Sequence, residues 1–305
     1  MSPSSTSMWQ ERGQFFEHAR HRIFWIEGGL QNAPVLVLIH GFPTSSWDWQ
    51  AVWPELGKHY RLIALDMLGF GFSDKPRGHS YTISEQADIH EALLQSLGIA
   101  DYHLLAHDYG DTVAQELIAR DLESTRFSNL RSVCLLNGGL FPETHRLLTI
   151  QKLLLSPLGP WVARMTRRKR LERSMQRIFG AQTQPDETVL EGFWNLINCN
   201  DGAPALAGLI AYIPERIRHR QRWVGALQGT PRPLLLINGM SDPISGAHMV
   251  QRYRELIQPA RIVELDGIGH YPQIEAAQQV VDAYLKFAAA VGESSDLSGQ
   301  AEAGR

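Results

Sequence analysis

The strongest constraint on the fold is a series of short, continuously apolar runs that alternate with segments of helical periodicity. Such runs are typical of strands whose two faces are both covered. They occupy residues 35–39, 61–66, 102–106, 132–137, 233–239 and 261–265, and an earlier strand is predicted over 22–27. Residues 85–97 and 278–290 read as amphipathic helices. Strands that alternate with helices predict an α/β protein with a mostly parallel, doubly wound sheet.

A long helical segment interrupts this alternation between residues 140 and 228. Its apolar spacing is helical and is broken repeatedly by Pro and Gly. We therefore predict a core formed by residues 21–139 and 229–291, with residues 140–228 inserted as a helical cap, or lid. The polar residues 1–20 are expected to form a flexible N-terminal segment, and residues 292–305 a disordered tail.

The composition is that of a soluble globular protein, with 44% hydrophobic and 20% charged residues. A net charge of −3 offers no electrostatic attraction to nucleic acid. Two cysteines, Cys134 and Cys199, are too few for a disulfide framework and indicate free thiols in a reducing compartment. The sequence shows neither a secretory signal nor a run long enough to span a bilayer. We expect a cytoplasmic protein that uses no metal and no cofactor.

Residues 104–111, with the sequence LLAHDYGD, place an aspartate between a buried strand and a helix. A sharp strand-to-helix turn flanked by small residues, here Ala106 and Gly110, is typical of a nucleophile elbow. Such a turn exposes its central side chain while backbone N–H groups point at the reacting atoms. Asp108 holds the central position. An aspartate that merely caps the following helix is the alternative interpretation.

Two further residues lie where a base and an orienting acid are needed. His270 follows the last strand in a short loop that contains Gly, and Asp242 follows the strand before it. An acid in that position can hold the imidazole of His270 in one tautomer. The order of nucleophile, acid and histidine along the chain is that of α/β-hydrolases. A turn aspartate preceding Pro243 is the alternative for Asp242.

Two backbone N–H groups are candidates for an oxyanion hole. One belongs to Tyr109, the residue after the predicted nucleophile. The other lies in the loop His40-Gly41-Phe42-Pro43, where Phe42 is preferred because Pro43 has no N–H.

An aspartate nucleophile suits displacement at a saturated carbon. Its attack on an amide or an ordinary ester would give an anhydride that is higher in energy than the substrate. Displacement gives an alkyl-enzyme ester, which water activated by His270 would hydrolyse. Epoxides and alkyl halides both fit this route. An epoxide leaves as an alkoxide and needs a proton donor, whereas a halide needs neutral N–H donors beside the nucleophile.

The side chains near the predicted nucleophile favour the epoxide and leave the halide open. Tyr109 and Phe42 bring neither an indole nor an amide to the site. Tyr212, the one tyrosine within residues 140–228, is the candidate proton donor, with a half-buried packing role as the alternative. Trp194, Asn195 and Asn198 remain candidate donors to a halide or another polar group.

With these residues assigned, the chain resembles the epoxide hydrolase and haloalkane dehalogenase branch of the α/β-hydrolases. More narrowly, it is similar to the mesoderm-specific transcript proteins and their bacterial relatives. The strings that carry the resemblance are HGFPTSSWDW at 40–49, ALDMLGFGFSDKP at 64–76, HDYGD at 107–111, NGGLFPETHR at 137–146, RWVGAL at 222–227 and GHYPQ at 269–273. The resemblance implies the α/β-hydrolase fold with Asp108, Asp242 and His270 as the triad. Many epoxide hydrolases use two lid tyrosines, and here only Tyr212 has a matching position; Phe141 and His145 lie near the other.

We therefore predict a cofactor-independent hydrolase that opens an epoxide to a diol, with a small hydrophobic organic substrate and water as its partners. A haloalkane dehalogenase with the same triad is the alternative, and a non-catalytic ligand-binding or scaffold protein is the second alternative. Five further side chains are predicted to line the substrate pocket: Trp47, Phe141, His145, Trp194 and Asn198.

The cap also carries a strongly basic stretch over residues 164–177, which follows the apolar residues 153–162. Weak contact with an anionic membrane surface is one interpretation. A solvated helix on the outside of the cap is the other.

Overall fold

One eight-stranded sheet organises the molecule. The computed structural model describes residues 5–123 and 129–303, with side chains up to residue 292. The strands are β1 Gln14–His18, β2 His21–Gly29, β3 Val35–Ile39, β4 Arg61–Leu65, β5 Asp101–His107, β6 Asn129–Leu136, β7 Leu234–Gly239 and β8 Ile262–Leu265. Their order across the sheet is β1-β2-β4-β3-β5-β6-β7-β8. The first two strands are antiparallel to their neighbours, and every pairing from β4 to β8 is parallel.

Helices pack around this sheet and also form the segment between β6 and β7. They are α1 Ser5–Arg12, α2 Trp53–Leu56, α3 Ile83–Ser96, α4 Tyr109–Glu123, α5 Thr149–Leu154, α6 Gly159–Arg164, α7 Arg168–Ile178, α8 Glu187–Asn198, α9 Leu206–Leu209, α10 Tyr212–Arg218, α11 Arg220–Gly229, α12 Ala247–Leu256, α13 Pro272–Glu275 and α14 Ala277–Ala303. The predicted fold class, an α/β protein with a mostly parallel sheet, is confirmed. Among the described residues, no helix has both the length and the apolar composition needed to cross a bilayer.

The parallel strands are buried on both faces, as their continuous apolar sequences require. Leu36, Leu38 and Leu105 are fully buried, and the register pairs Leu38 with Leu105 across β3 and β5. Burying a side chain of this kind contributes roughly 1.5–3 kcal/mol relative to leaving it exposed. Because the strands are parallel, the residues that follow β3, β5, β6, β7 and β8 meet at one edge of the sheet.

The segment between β6 and β7 contains seven of the helices described, α5 to α11, and no described strand. It is anchored to the rest of the protein by buried contacts, for example between Glu215 of α10 and the backbone N–H of Ile83 at 3.2 Å. The division into core and cap proposed from the sequence has its boundaries at residues 140 and 228. These positions lie close to the end of β6 and the start of β7.

The two end segments contain regular secondary structure where it is described, and their flexibility stays a prediction. Residues 1–4 and 304–305 lie outside the described residues, but α1 and β1 occupy much of the first twenty positions, and α14 continues through Ala303. The edge strand β1 was missed because its Gln-Phe-Phe-Glu-His sequence shows no clean alternation, and its side chains are mostly exposed. The tail contains no proline to stop the helix that precedes it.

The indole of Trp9 fixes α1 to the protein. It is 4% exposed, packs edge-on against Trp53 with ring centroids 5.0 Å apart, and donates to Ser46 Oγ at 3.1 Å. We expect Trp9→Ala to lower the free energy of unfolding by about 3 kcal/mol, the cost of emptying a buried aromatic site. The neighbouring Met8 is 50% exposed, so Met8→Ala is the control and should leave the denaturation midpoint nearly unchanged. Equal midpoints for the two variants would contradict the described packing.

Candidate active site

The turn between β5 and α4 holds Asp108 in a left-handed conformation, with φ 48°. L-residues adopt this conformation at a cost of roughly 1–2 kcal/mol. Gly110 permits the turn to pack closely, because a Cβ at that position would lie 2.4 Å from the carbonyl oxygen of Ile39. The turn therefore has the geometry that the flanking small residues predicted, a sharp change of direction with Asp108 at its apex.

The Asp108 carboxylate lies against the loop that follows β3. The backbone N–H of Phe42 donates to Asp108 Oδ2 at 3.1 Å. His40 supports this loop, since its Nε2 accepts from the N–H of Met67 at 3.1 Å and its Nδ1 donates to the Gly41 carbonyl at 2.9 Å. Tyr109 begins α4, so its N–H is among those that have no intrahelical acceptor. Phe42 and Tyr109, the two predicted oxyanion donors, are thus both next to the carboxylate, one in space and one in sequence.

His270 and Asp242 form a buried ion pair. His270 Nδ1 donates to Asp242 Oδ2 at 2.8 Å, and the two residues are 2% and 3% exposed. Burial alone would lower the pKa of His270, but the charge and hydrogen bond of Asp242, together with the charge of Asp108, raise it to about 9. Burial would raise the pKa of Asp242, and the opposing influence of His270 lowers it to about 2. Since Nδ1 is bonded to Asp242, Nε2 is the ring nitrogen of His270 that remains available to a molecule in the cavity lined by both His270 and Asp108.

Asn137 was not predicted as a site residue, and it holds Asp242 in place. Its Nδ2 donates to Asp242 Oδ2 at 3.0 Å, and its Oδ1 accepts from the N–H of Gly239 at 2.7 Å. Ser245 Oγ donates to the same carboxylate oxygen at 2.7 Å. The position of Asn137 directly after a buried strand was the available signal, because strand ends at this edge of the sheet all approach the site.

Two more unpredicted residues fix the loop that carries His270. His107 Nε2 donates to the carbonyl oxygen of His270 at 2.7 Å, and burial lowers the pKa of His107 to about 4, so its ring is neutral. The carboxylate of Glu275 accepts from the N–H groups of Gly269 and Tyr271, both at 2.9 Å. These bonds restrain the backbone on both sides of the histidine.

Arg216 of α10 is the most unexpected residue at the site. It is 2% exposed, and its Nη2 donates to the carbonyl oxygen of Asp108 at 2.9 Å and lies 3.9 Å from Asp108 Oδ1. Its Nε donates to Thr112 Oγ1 at 2.6 Å. A buried guanidinium beside the carboxylate offsets the negative charge of the site. The sequence offered no signal for it, since nothing in the pattern of this short helix distinguishes the buried Arg216 from the exposed Arg218.

Tyr212 lies behind the predicted oxyanion donors. Its ring centroid is 6.0 Å from that of Phe42 and 4.9 Å from that of Tyr109, and the guanidinium of Arg216 lies over its face. The side chain is fully buried rather than half-buried. Burial and the charge of Asp108 both raise the pKa of Tyr212, so its hydroxyl keeps its proton. Tyr212 is absent from the residues that line the cavity at Asp108.

That cavity, of about 80 Å³, lies between the sheet edge and helices α5 and α7. Apart from Asp108 and His270, its lining is mainly apolar. The lining side chains include Phe42, Pro43, Leu148, Ile150, Leu154, Leu171, Met175, Ile178, Leu206 and Ile244. Such a surface suits a small hydrophobic molecule. No group of three or more His, Cys, Asp or Glu side chains within the described ranges is arranged to hold a metal ion.

The five side chains predicted to line the pocket do not line this cavity. Trp47 is fully buried against Phe193, and Phe141 is fully buried near Tyr253. Asn198 Nδ2 donates to the carbonyl of Trp194 at 2.8 Å, within its own helix. The inward faces of α5 and α7 supply much of the lining of this cavity instead, and a pocket role for the five side chains stays a prediction.

His145 lies near Arg216 rather than in the cavity. A Cβ on Gly139 would lie 3.0 Å from His145 Nδ1 and 2.4 Å from Arg216 Nη1, so both side chains crowd the same glycine. Burial and the charge of Arg216 lower the pKa of His145 to about 4. A neutral imidazole is a poor acid at neutral pH, so the protonation state of His145 does not suit proton donation to a leaving group.

The fold and the site define the class of the protein. Residues 34–277 match the model of the alpha/beta hydrolase fold family, and the chain belongs to that family. The resemblance stated from the sequence motifs is confirmed.

Its relatives narrow the comparison. The chain is 44% identical over 298 residues to the mesoderm-specific transcript homolog protein of Bos taurus, covering 94% of this chain and 88% of that protein. It is 39% identical over 288 residues to the putative hydrolase LipZ of Mycobacterium tuberculosis, covering 94% and 99%. Haloalkane dehalogenase 2 of Mycobacterium tuberculosis is 27% identical over 282 residues, covering 90% and 93%.

A solved structure shows the same fold at lower identity. The haloalkane dehalogenase DbeA-M1 loop variant from Bradyrhizobium elkanii superposes with a TM-score of 0.78, at 21% identity over 94% of this chain and 99% of that one. These comparisons support a hydrolase with dehalogenase-like relatives.

The buried pair of His270 and Asp242 should stabilise the protein over a defined pH range. Because the pKa of His270 is raised, the stabilisation by the pair is complete below pH 6.5. It is lost as the pH rises through about 9, where the folded protein releases the proton. The lowered pKa of Asp242 preserves the contribution above about pH 4, and it is lost as the pH falls through about 2. We expect the free energy of unfolding of the wild type to fall by about 3 kcal/mol more than that of His270→Gln when the pH is raised from about 6.5 to about 9.5.

Denaturant titrations at the two pH values measure this difference. Asp242→Asn, which removes the other partner, should behave like His270→Gln. A stability difference that does not change with pH would show that the pair is not ionised in the folded protein.

Proposed function

We propose that the protein is a cofactor-independent epoxide hydrolase that works through an Asp108 alkyl-enzyme ester. The observation that carries this proposal is the hydrogen bond from the Phe42 N–H to Asp108 Oδ2 in the cavity shared with the His270 and Asp242 pair. It distinguishes the two carboxylate oxygens, because Oδ2 is held by the donor while Oδ1 is the oxygen that can attack.

In the first step, Asp108 Oδ1 forms a bond to an epoxide carbon as the bond from that carbon to the ring oxygen breaks. The ring oxygen leaves as an alkoxide and takes the hydroxyl proton of Tyr212, which later regains a proton through water. Because Tyr212 packs behind Tyr109 and does not line the cavity, this transfer requires its side chain to turn toward Asp108. Alkylation removes the negative charge of Asp108. Because that charge raises the pKa of Tyr212, its removal makes the hydroxyl a stronger acid at the moment when the alkoxide forms.

In the second step, His270 Nε2 takes a proton from water, and the water oxygen adds to the carbonyl carbon of the Asp108 ester. The oxyanion develops on Oδ2, where the N–H groups of Phe42 and Tyr109 stabilise it. Collapse breaks the bond from the carbonyl carbon to Oδ1, which leaves with the product, takes the proton from His270 Nε2 and becomes a hydroxyl of the diol. The re-formed carboxyl group of Asp108, now carrying the water oxygen, releases its proton to solvent. The charge of Asp108 also contributes to the raised pKa of His270, so formation of the ester lowers that pKa and frees Nε2 to act as a base.

A single turnover in heavy-oxygen water tests the covalent route. We expect label in the Asp108 carboxylate and an unlabelled diol, because the oxygen transferred to the product comes from Oδ1. Fragmentation of the active-site peptide localises the label, and the neighbouring buried carboxylate of Asp111 serves as the internal control. Label in the diol with an unlabelled Asp108 would overturn the proposal.

His270→Gln should stop the reaction after the first step. Intact-protein mass spectrometry should then show an adduct with the mass of the epoxide, which the double variant with Asp108→Asn should lack. The trapped adduct distinguishes a covalent hydrolase from a scaffold protein with a hydrolase fold.

A haloalkane dehalogenase is the second candidate, favoured by the relative that is 27% identical over 282 residues. The leaving group separates the two, since a halide needs no proton. We expect Tyr212→Phe to lower kcat/KM for an epoxide about 100-fold, in the range of general acid catalysis, and to leave turnover of a matched bromoalkane unchanged. Tyr253→Phe, at a buried tyrosine packed against Phe141, is the matched control. Unchanged epoxide turnover in Tyr212→Phe would show that another group protonates the alkoxide.

A further inference from the structure

Helices α5 and α6 and the residues beside them expose an unusual number of large apolar side chains. Leu158 and Trp161 each keep 64% of their surface exposed. The full set, which we term the apolar strip, comprises Leu153, Leu155, Leu158, Trp161 and Met165. Single exposed apolar residues are common on protein surfaces, but a contiguous group within thirteen residues of chain is typical of a surface that contacts something apolar.

The helix that follows carries a row of cations. Lys169, Arg173 and Arg177 recur at intervals of four residues along α7 and are all exposed, so they share one face. We term them the cationic row. The opposite face of α7 is buried through Leu171, Met175 and Ile178.

Few acidic groups neutralise this region. Arg168 pairs with Glu172 and Glu187. Six other cations between residues 164 and 177 have no carboxylate within ion-pair distance in the described part of the chain: Arg164, Arg167, Lys169, Arg170, Arg173 and Arg177. A solvated helix accounts for the charge alone, but it gives no reason for Leu158 and Trp161 to remain exposed beside it.

The cationic row lies on the outer side of α7, and the apolar strip begins on α5; both helices line the proposed catalytic cavity, and α6, which carries the rest of the strip, lies between them in the chain. Leu154 of α5 and Leu171 of α7 line the cavity from within. The cavity also touches the exposed Arg170 and the partly exposed Thr166 and Ser174. It therefore reaches the surface along α7, beside the cationic row.

We propose that the apolar strip and the cationic row together dock on an anionic phospholipid bilayer, so that a lipophilic substrate enters the cavity from the membrane. The cations can contact the phosphate groups at the bilayer surface, and the exposed Trp and Leu side chains can contact the acyl chains beneath them. A second copy of the chain is a poorer occupant, because a two-fold interface on this face would bring two cationic rows together. The proposal goes beyond the hydrolysis reaction and does not depend on the leaving group.

Vesicle flotation of the full chain tests the proposal without any substrate. The probes are phosphatidylcholine vesicles with and without 30% phosphatidylserine, a composition chosen as a probe of about physiological anionic charge. We expect the protein to float with the anionic vesicles at low salt and to remain in solution with the neutral ones. Raising the salt concentration should release it, because the electrostatic attraction is screened.

Two sets of variants assign the contact to this surface. Lys169→Gln, Arg173→Gln and Arg177→Gln combined should weaken binding to anionic vesicles about 100-fold, and Leu158→Ser with Trp161→Ser should weaken it about tenfold or more. Leu30→Ser with Leu122→Ser is the matched control, since these residues are exposed by 53% and 44% elsewhere on the protein. Thermal denaturation shows whether each variant is folded.

Several outcomes would overturn the proposal. These are absence of binding to the anionic vesicles, equal binding to neutral and anionic vesicles, or equal binding by the control and the strip variants. A dimer in sedimentation velocity that the strip substitutions dissociate, without vesicle binding, would assign the face to a second copy of the chain instead. Each of these measurements reports binding or oligomeric state and needs no catalytic turnover. The test of membrane docking is therefore valid even if the protein is not an epoxide hydrolase.

Discussion

The left-handed turn at Asp108 is the constraint on which the site depends. A φ of 48° is unfavourable for an aspartate, and the surrounding contacts keep it there. The N–H of Asp108 bonds the carbonyl of Leu136 at 3.1 Å, its carboxylate accepts from Phe42, and its own carbonyl accepts from Arg216. Strain held by a rigid sheet edge fixes the direction of one carboxylate.

Charge balance is the second principle of the site. Two carboxylates, Asp108 and Asp242, lie near the His270 ring, and the guanidinium of Arg216 lies beside the first of them. In the proposed reaction, Asp108 loses its charge when it is alkylated and regains it on hydrolysis. The protonation of His270 and Tyr212 then follows the covalent state of Asp108, which gives the two steps their order without any change in backbone structure.

Local patterns predicted the sheet, the turn and the positions of Asp108, Asp242 and His270, because each follows a buried strand whose apolar run is visible in the sequence. The same logic, applied to the strand that ends at Leu136, would have included Asn137. Arg216 and the cavity lining could not be predicted, because they depend on how α5, α7 and α10 pack over the sheet. Helical periodicity shows that a residue such as Leu171 is buried, but not which partner it faces.

The hydrogen bond from Arg216 to the carbonyl of Asp108 joins α10 to the backbone of the turn between β5 and α4. A second tie runs from the N–H of His270 to the carbonyl of Ile178, at the end of α7, at 2.8 Å. Helices α10 and α7 are thus hydrogen-bonded to the backbone of Asp108 and of His270, respectively. A shift of α7 or α10 would break these hydrogen bonds and move the turn at Asp108 or the loop at His270, so the packing of these two helices over the sheet edge also sets the alignment of the two side chains.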